Sequence, residues 1–369
     1  MPAVVLSPHA LARVLAIVDL TNPQHGPHAL QTLLDVVEQA LAHRWACRVR
    51  RHRAHPVTTV EDNYNALGYP PDGAARDARY TRYLNATQLL RTQTSAMVPP
   101  LLRVLTLEEQ EDVLLVCPGL VYRRDCVDRL HVGEPHQVDL WRITRAILTV
   151  PDLEDMARTV VAALWPDAPL RLTPTQHPYT LHGLQMDVLL GSTWVEVGEC
   201  GLAHPNVLQR QGLRDVTGLA MGLGLDRLLM VKKGIPDIRL LRARDPRIAR
   251  QMLDLTPYRP VSLMPPLRRD ISIAVAQDTV SEELGDQVRG ALGNHAASVE
   301  AVEVLSETAW EDLSQVARGR LGMVAGQKNV LLRIVLRDLE RTLTDVEGNQ
   351  MRDHIYAALH QGTVHQWAR

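Results

Sequence analysis

The stretch Gly218-Leu-Ala-Met-Gly-Leu-Gly-Leu-Asp-Arg227 constrains the fold more than any other part of the chain. Gly218, Gly222 and Gly224 alternate with apolar residues, the pattern of a strand whose backbone lets something flat approach closely. The spacing then turns helical, with Leu225, Leu228 and Leu229 on one side and Asp226 and Arg227 at the start. An arginine at that point can hold an anion or lie against a nucleobase. A dinucleotide fingerprint does not fit, because its third glycine is missing and no acidic residue closes a βαβ unit. The plainer alternative is a buried glycine-rich strand with an ordinary helix after it.

At 369 residues the chain is long enough for a large core and two domains. Its 46% apolar and 22% charged content is that of a soluble globular protein, with no run fit to cross a bilayer. Residues 1–20 read as an amphipathic helix and not a leader peptide, since His9, Arg13 and Asp19 interrupt them. Cys47, Cys117, Cys126 and Cys200 form no CxxC pair, so neither a zinc site nor a disulfide framework is indicated and a cytoplasmic location is expected. A net charge of −2 announces no nucleic-acid partner by itself. Phenylalanine is absent altogether, where a chain of this size ordinarily holds roughly ten. A GC-rich genome would explain why only Lys232, Lys233 and Lys328 are lysines among 40 basic residues, but not that absence.

Periodicity predicts a helix over residues 28–42, then an arginine-rich run at 44–53 whose default reading is a solvated face. Residues 61–73 have the Asn, Pro and Gly content of an ordered loop, and a helix is expected near Pro99. A short buried strand at 113–116, a turn at Pro118-Gly119 and a second strand opening at Leu120 come next. After a polar loop, alternation resumes from His136, with Gln137 and Asp139 facing one way and Val138 and Leu140 the other. A helix at 153–164 and a hairpin turning at Gly191 complete a pattern of antiparallel strands with flanking helices, which makes the fold class α+β. A proline-rich connector at 256–267 separates residues 1–255 from 268–369. The latter read strand, helix, strand, strand, helix, one strand short of a ferredoxin-type sandwich.

Two antiparallel strands can aim Arg123 and Gln137 into a common pocket, to which the hairpin adds Glu196 and the opening stretch adds Arg227. Two arginines suit a polyphosphate, a carboxylate suits magnesium, and the polar groups suit a small substrate. Several longer motifs then stand in order. They are Asn63-Tyr-Asn-Ala-Leu-Gly-Tyr-Pro-Pro-Asp-Gly-Ala-Ala-Arg-Asp77, Gly119-Leu-Val-Tyr-Arg-Arg-Asp125 through His136-Gln137, and Trp194-Val-Glu196 with Cys200-Gly201 and His204-Pro205. The opening stretch with Gly234-Ile-Pro-Asp-Ile-Arg239, Pro265-Pro-Leu-Arg-Arg-Asp270 and Glu340-Arg-Thr-Leu-Thr-Asp345 complete the series. Over about residues 20–365 the chain resembles a phenylalanyl-tRNA synthetase, a class II aminoacyl-tRNA synthetase core with a ferredoxin-fold anticodon-binding domain.

The resemblance implies attack of an amino-acid carboxylate on the α-phosphate of ATP, then transfer of the aminoacyl group to tRNA. Carried over, Arg123 holds the α-phosphate and Arg227 lies against the base and γ-phosphate. Asp125 and His131 line the ATP side, and Glu196 helps hold Mg2+. Ser95, Gln137 and Asp139 meet the ammonium and backbone end of the amino acid, while His177, Tyr179, Ala220 and Met221 form its side-chain pocket. The layout is closer to that of the single-chain organellar enzymes, and a monomer, a homo-oligomer and a β-type partner subunit all stay open. The chain departs from the family pattern at Gln93, Asp139 and Pro135, at His177 and Tyr179 where the family has phenylalanine, and at Glu199 where it has glycine. The resemblance implies turns at Cys200-Gly201 and His204-Pro205, and Glu199 just before them would have to be accommodated or would reshape the turn. These departures, with 12 basic against 15 acidic residues from Thr256 onward, keep two other readings open. One is an adenylating enzyme with a non-tRNA acceptor; the other is a non-catalytic paralogue that binds tRNA or an amino acid. A phenylalanine-free chain would also suit a resistance copy made when phenylalanyl-tRNA is scarce.

Overall fold

A computed structural model describes residues 5–124, 128–261, 264–338 and 340–365. Twelve strands appear among the described residues: β1 (Arg48–Arg51), β2 (Val57–Thr59), β3 (Gln88–Leu90), β4 (Asp112–Leu120), β5 (His136–Thr144), β6 (Leu170–Pro174), β7 (Thr180–Leu190), β8 (Thr193–Ala203), β9 (Thr217–Gly224), β10 (Leu267–Ala276), β11 (Val299–Ala309) and β12 (Gln327–Leu336). Seven form one sheet in the order β1-β4-β5-β9-β8-β7-β6. Only β1 and β4 run parallel; every other neighbouring pair is antiparallel. A small hairpin pairs β2 with β3, and a three-stranded sheet runs β10-β12-β11.

The predicted helix at 28–42 spans Ala29–Trp45, with the His28 ring accepting the Leu30 N–H as its cap. Leu30, Leu33, Leu34, Val37 and Leu41 recur three and four apart and are all buried, which packs the helix against Val150–Leu164 and Leu225–Lys233. On the sheet face that carries Trp141, Val113, Leu115, Ile143 and Ala220 join Met97, Val98 and Leu101 in one core. The arginine-rich run forms edge strand β1 and is neutralised side chain by side chain. Arg48 meets Glu108, Arg50 meets Glu109 at 2.9 Å, and Arg51 meets Asp35 at 2.6 Å and Glu38 at 2.8 Å. Residues 61–73 are not all loop, since Glu61–Asn65 forms a helical turn with Asn63 and Tyr64 buried.

Pro118 and Gly119 do not turn the chain; both lie inside β4. Val116 accepts from His52 on the β1 side, so Pro118, two residues on, faces that same side beyond the end of β1, where its missing N–H costs nothing. Gly119 leaves room for the buried Arg91 guanidinium, which would stand 2.5 Å from an added Cβ. Leu120 correspondingly ends a strand and does not open one. The expected turn at Cys200-Gly201 is also strand, because β8 runs on to Ala203, and His204 then caps the helix Pro205–Arg210.

Contacts divide the chain into two compact units. The first comprises Met1–Arg123, Glu134–Ile235 and Gln251–Tyr258, and the second comprises Arg124–Gly133, Pro236–Arg250 and Arg259–Arg369. The second holds the three-stranded sheet and the helices Ser281–Leu292 and Asp345–Leu359, around a core that includes Ile271, Ile273, Leu284, Leu332 and Ile355. No described helix is long and apolar enough to cross a membrane.

Candidate active site

The register of β4, β5, β9 and β8 lays out the site. Leu120 pairs with His136, Gln137 with Gly224, and Gly198 with Leu223. The C-terminal ends of β4 and β9, the start of β5 and the Glu196 region of β8 therefore share one end of the sheet. Arg123 follows β4 by three residues, and Arg227 stands in the first turn of the helix that β9 runs into. Both arginine-bearing segments thus leave the sheet beside Gln137. Glu196 joins them through a bulge: Gly198 opposes Met186 but Glu196 opposes Asp187, so one extra residue turns Glu196 to the Glu199 face.

Two residues further along β5, Asp139 stands opposite Gly222, which stands opposite Glu199. Two more residues along, Trp141 faces Ala220, and Ala220 faces Gly201. From the Gln137 row to the Trp141 row is about 13 Å at the rise of an extended strand. The three glycines of β9 have different roles. A Cβ on Gly218 would meet the Arg142 carbonyl at 2.9 Å and Ala203 Cβ at 3.1 Å, whereas one on Gly222 or Gly224 would meet nothing within 4 Å. Gly218 serves the packing of the fold. Gly222 and Gly224 form an open floor that the chain itself leaves uncovered.

Asp139 is buried at one edge of that floor. It accepts hydrogen bonds from Thr94 Oγ1 at 2.8 Å and Trp141 Nε1 at 3.1 Å. Burial pushes its carboxyl above the usual range, and hydrogen bonds from Thr94, Trp141 and Ser95 pull it back. Across Gly222, Glu199 Oε2 lies 2.8 Å from His177 Nε2. Their hydrogen bond raises the imidazole and lowers the carboxyl, so each partner favours the charged form of the other. The two departures His177 and Glu199 thus satisfy each other, and Glu199 fits within a continuous strand because glycine opposes it.

Aromatic rings close the far end. Tyr179 lies 6.1 Å from Trp141 with near-parallel planes, 6.2 Å from Tyr69 and 5.4 Å from His177, centroid to centroid. Tyr69 donates to Gln93 Oε1 at 2.8 Å, and the Gln93 amide donates to the Asn63 carbonyl. Burial holds the Tyr179 phenol far above its ordinary range, so it stays neutral; a Ser95 hydrogen bond offsets this slightly.

Ser95, Gln137, Asp139, His177, Tyr179 and Ala220 therefore fall on or against one sheet face. Met221 does not: it pairs with Leu140 and Cys200, which puts it on the opposite face, buried. His131 lies in Arg124–Gly133, a segment of the second unit, where its Nδ1 is 2.8 Å from Asp128 Oδ2. Asp125 is outside the described residues. Sequence reasoning missed the anchor of β5. Asp226 accepts from the His136 backbone N–H at 2.6 Å and from Nδ1 at 2.7 Å, while Nε2 accepts the Leu20 N–H, which fixes the tautomer. It also missed the buried Arg82–Glu134 pair at 2.5 Å. Nothing in the local pattern pairs residues 52 or 90 positions apart.

Residues 18–252 match the family described as tRNA synthetases class II core domain (F). The chain belongs to the phenylalanyl-tRNA synthetase family of class II synthetases. Among its curated relatives, the phenylalanine–tRNA ligase alpha subunit of a Nostoc species is 38% identical over 192 residues, 51% of this chain and 56% of that one. The chloroplastic/mitochondrial phenylalanine–tRNA ligase of Arabidopsis thaliana is 27% identical over 315 residues, 81% of this chain and 68% of that one. A pyrrolysyl tRNA synthetase structure from Desulfitobacterium hafniense superposes with a TM-score of 0.44 at 21% identity, over 60% of this chain and 75% of that chain. The chain spans about half the length of the bacterial alpha subunits it matches. Within this synthetase core β9 is the central strand of the seven, and its glycine floor has Asp139 and Glu199 on either side.

Proposed function

We propose that this chain activates an aromatic amino acid, phenylalanine or a close analogue, with ATP and transfers it to tRNA. The observation that carries this reading is the linear order along β5, β9 and β8: an arginine end, an open glycine floor edged by Asp139, and a closed aromatic end. An amino acid laid along that floor has its ammonium at Asp139 and its ring against Tyr179 and Trp141. Its carboxylate then points to the end from which Arg123 and Arg227 depart. The attacking carboxylate oxygen and the α-phosphate are both anionic, and guanidinium groups beside the phosphate offset charge that grows in the transition state.

Among the described residues no three His, Cys, Asp or Glu side chains converge as an all-protein metal cage. Magnesium that travels with a nucleotide needs only one or two carboxylates, so the exposed Glu196 fits that role. When bound, the ion neutralises phosphate charge and eases departure of pyrophosphate. For the second unit, a ferredoxin-type anticodon-binding reading finds support at the edge of β10. There Gln361 donates its N–H to the Ala274 carbonyl at 2.8 Å, as a short fourth strand would, and the His360 ring takes the place of a strand carbonyl by accepting from Ala274 N.

The test is pyrophosphate exchange across the aromatic amino acids, followed by charging of tRNA. Exchange that depends on an aromatic amino acid and falls by about 100-fold or more in Arg227→Ala supports the reading. Absence of exchange with every member of the panel overturns it.

A further inference from the structure

The floor and its edges carry information about the side chain they receive. The strand axes of β5 and β8 lie two spacings apart, about 9.5 Å, with Gly222 between them. An amino acid with its ammonium at Asp139 and its ring beside Tyr179 brings the far edge of that ring toward Glu199, because Tyr179 lies 5.4 Å from the His177 ring that Glu199 holds. Tyr69, Tyr179, Trp141 and His177 border that path, which suits a flat ring. At its end stands a hydrogen-bonded pair, the Glu199 carboxylate and the His177 ring, with side chains 34% and 22% exposed.

A ring that reaches the pair strips water from it. An unsubstituted ring offers only C–H groups in exchange, so the lost hydration of a carboxylate is not replaced. A carboxylate has about four acceptor directions, and the bonds it receives from His177 and Thr175 leave capacity for a further donor. We infer that the amino acid bound here carries a polar, hydrogen-bond-donating group on its ring, a phenol or an aniline, which bonds to Glu199. Glu199 and His177 are then the specificity-determining residues, with His177 positioning the carboxylate. This inference rests on the reading of the floor as the amino-acid site.

Two measurements on the full chain test it, and they separate its failure from that of the activation reading. The first is the rise in Tm with millimolar phenylalanine, tyrosine, 4-aminophenylalanine or lysine. The second is pyrophosphate exchange with the same four. A site built around a ring donor gives kcat/KM for tyrosine or 4-aminophenylalanine at least tenfold above phenylalanine, and a larger Tm rise. Glu199→Ala should narrow that ratio to within threefold, and Glu199→Gln serves where the alanine protein is unstable. Phenylalanine equal to or better than the polar rings overturns the inference and leaves activation standing, whereas lysine binding best overturns the inference together with the aromatic reading of the site. No exchange with any of the four, but a greater Tm rise with polar rings than with phenylalanine, upholds the inference and removes the activation reading. If none of the four binds or exchanges, both fall.

Discussion

Asp139 shows most directly how one side chain is held at a cost in desolvation. Its carboxylate is buried, raised by desolvation and stabilised by donors from Thr94 and Trp141. An amide of the same shape keeps the Trp141 bond and gives Thr94 a donor to accept from. Asp139→Asn should therefore leave Tm unchanged or raised, while the KM for the amino acid rises about 10- to 100-fold through loss of a charge-assisted bond to ammonium. Thermal melts and exchange kinetics on one preparation check both halves. Glu199 and His177 give a pH signature. The imidazole is raised from an ordinary 6.5, so its contribution to stability is complete below that value and fades as pH climbs through the folded value. The carboxyl is lowered from 4.5, so its share is present above 4.5 and is lost as pH falls through the folded value. Both act together between 4.5 and 6.5, with Asp139 the other charge that raises His177. For a partly exposed pair the effect is at most about 1 kcal/mol. The Tm gap between the wild type and Glu199→Gln should be widest between pH 4.5 and 6.5 and shrink as pH rises through the raised folded-state value of the imidazole.

At the scale of the element, β9 combines two demands that glycine alone hides. Gly218→Ala forces a methyl against the Arg142 carbonyl and should destabilise by about 1–3 kcal/mol. Gly222→Ala meets open space and should be neutral or stabilising by up to about 1 kcal/mol, yet lower kcat/KM for the amino acid at least tenfold by raising the floor. Denaturant melts and exchange assays should thus rank the two variants in opposite orders. The strand and its helix were legible in the sequence because alternation and then helical spacing are local signals, and Gly234 in the left-handed conformation ends the helix where the pattern stops. The hairpin turn at Gly191 was legible for the same reason. Pro118 was misread because turn chemistry depends on which neighbour lies across the backbone, and the end of β1 is set 67 residues earlier in the chain, at Arg51. The face of Met221 was misplaced because adjacent strand residues point opposite ways, so closeness in sequence to Ala220 means separation in space. The mutual pairing of His177 and Glu199 was visible only as two separate oddities.

For the whole molecule, the division into units matters more than the proline-rich connector suggests. The chain passes between the units after Arg123, Gly133, Ile235, Arg250 and Tyr258, so a cut at the connector does not separate them. Arg124–Gly133 finds partners in the second unit, with Arg124 3.4 Å from Glu283 and 3.5 Å from Asp286, and the Arg129 carbonyl accepting from Ile238. Arg239 likewise donates to the carbonyls of Ala297 and Arg337. A fragment ending at Tyr258 keeps the Arg129–Ile238 bond but leaves Arg124 without Glu283 and Asp286, and Arg239 without the carbonyls of Ala297 and Arg337. It should melt several degrees below the full chain or aggregate, even though it contains all seven strands of the large sheet. Calorimetry and size-exclusion chromatography of the two proteins decide it.

The same interleaving sets a timetable for synthesis. Arg124 leaves the ribosome 159 residues ahead of Glu283, its partner. At 5–20 residues per second that is an interval of about 8–30 s. In its later part, once β9 has emerged, the link between β4 and β5 hangs from a nearly finished sheet as an arginine-bearing segment of nascent chain. A chaperone, or the newly folded first unit itself, has that long in which to guard it.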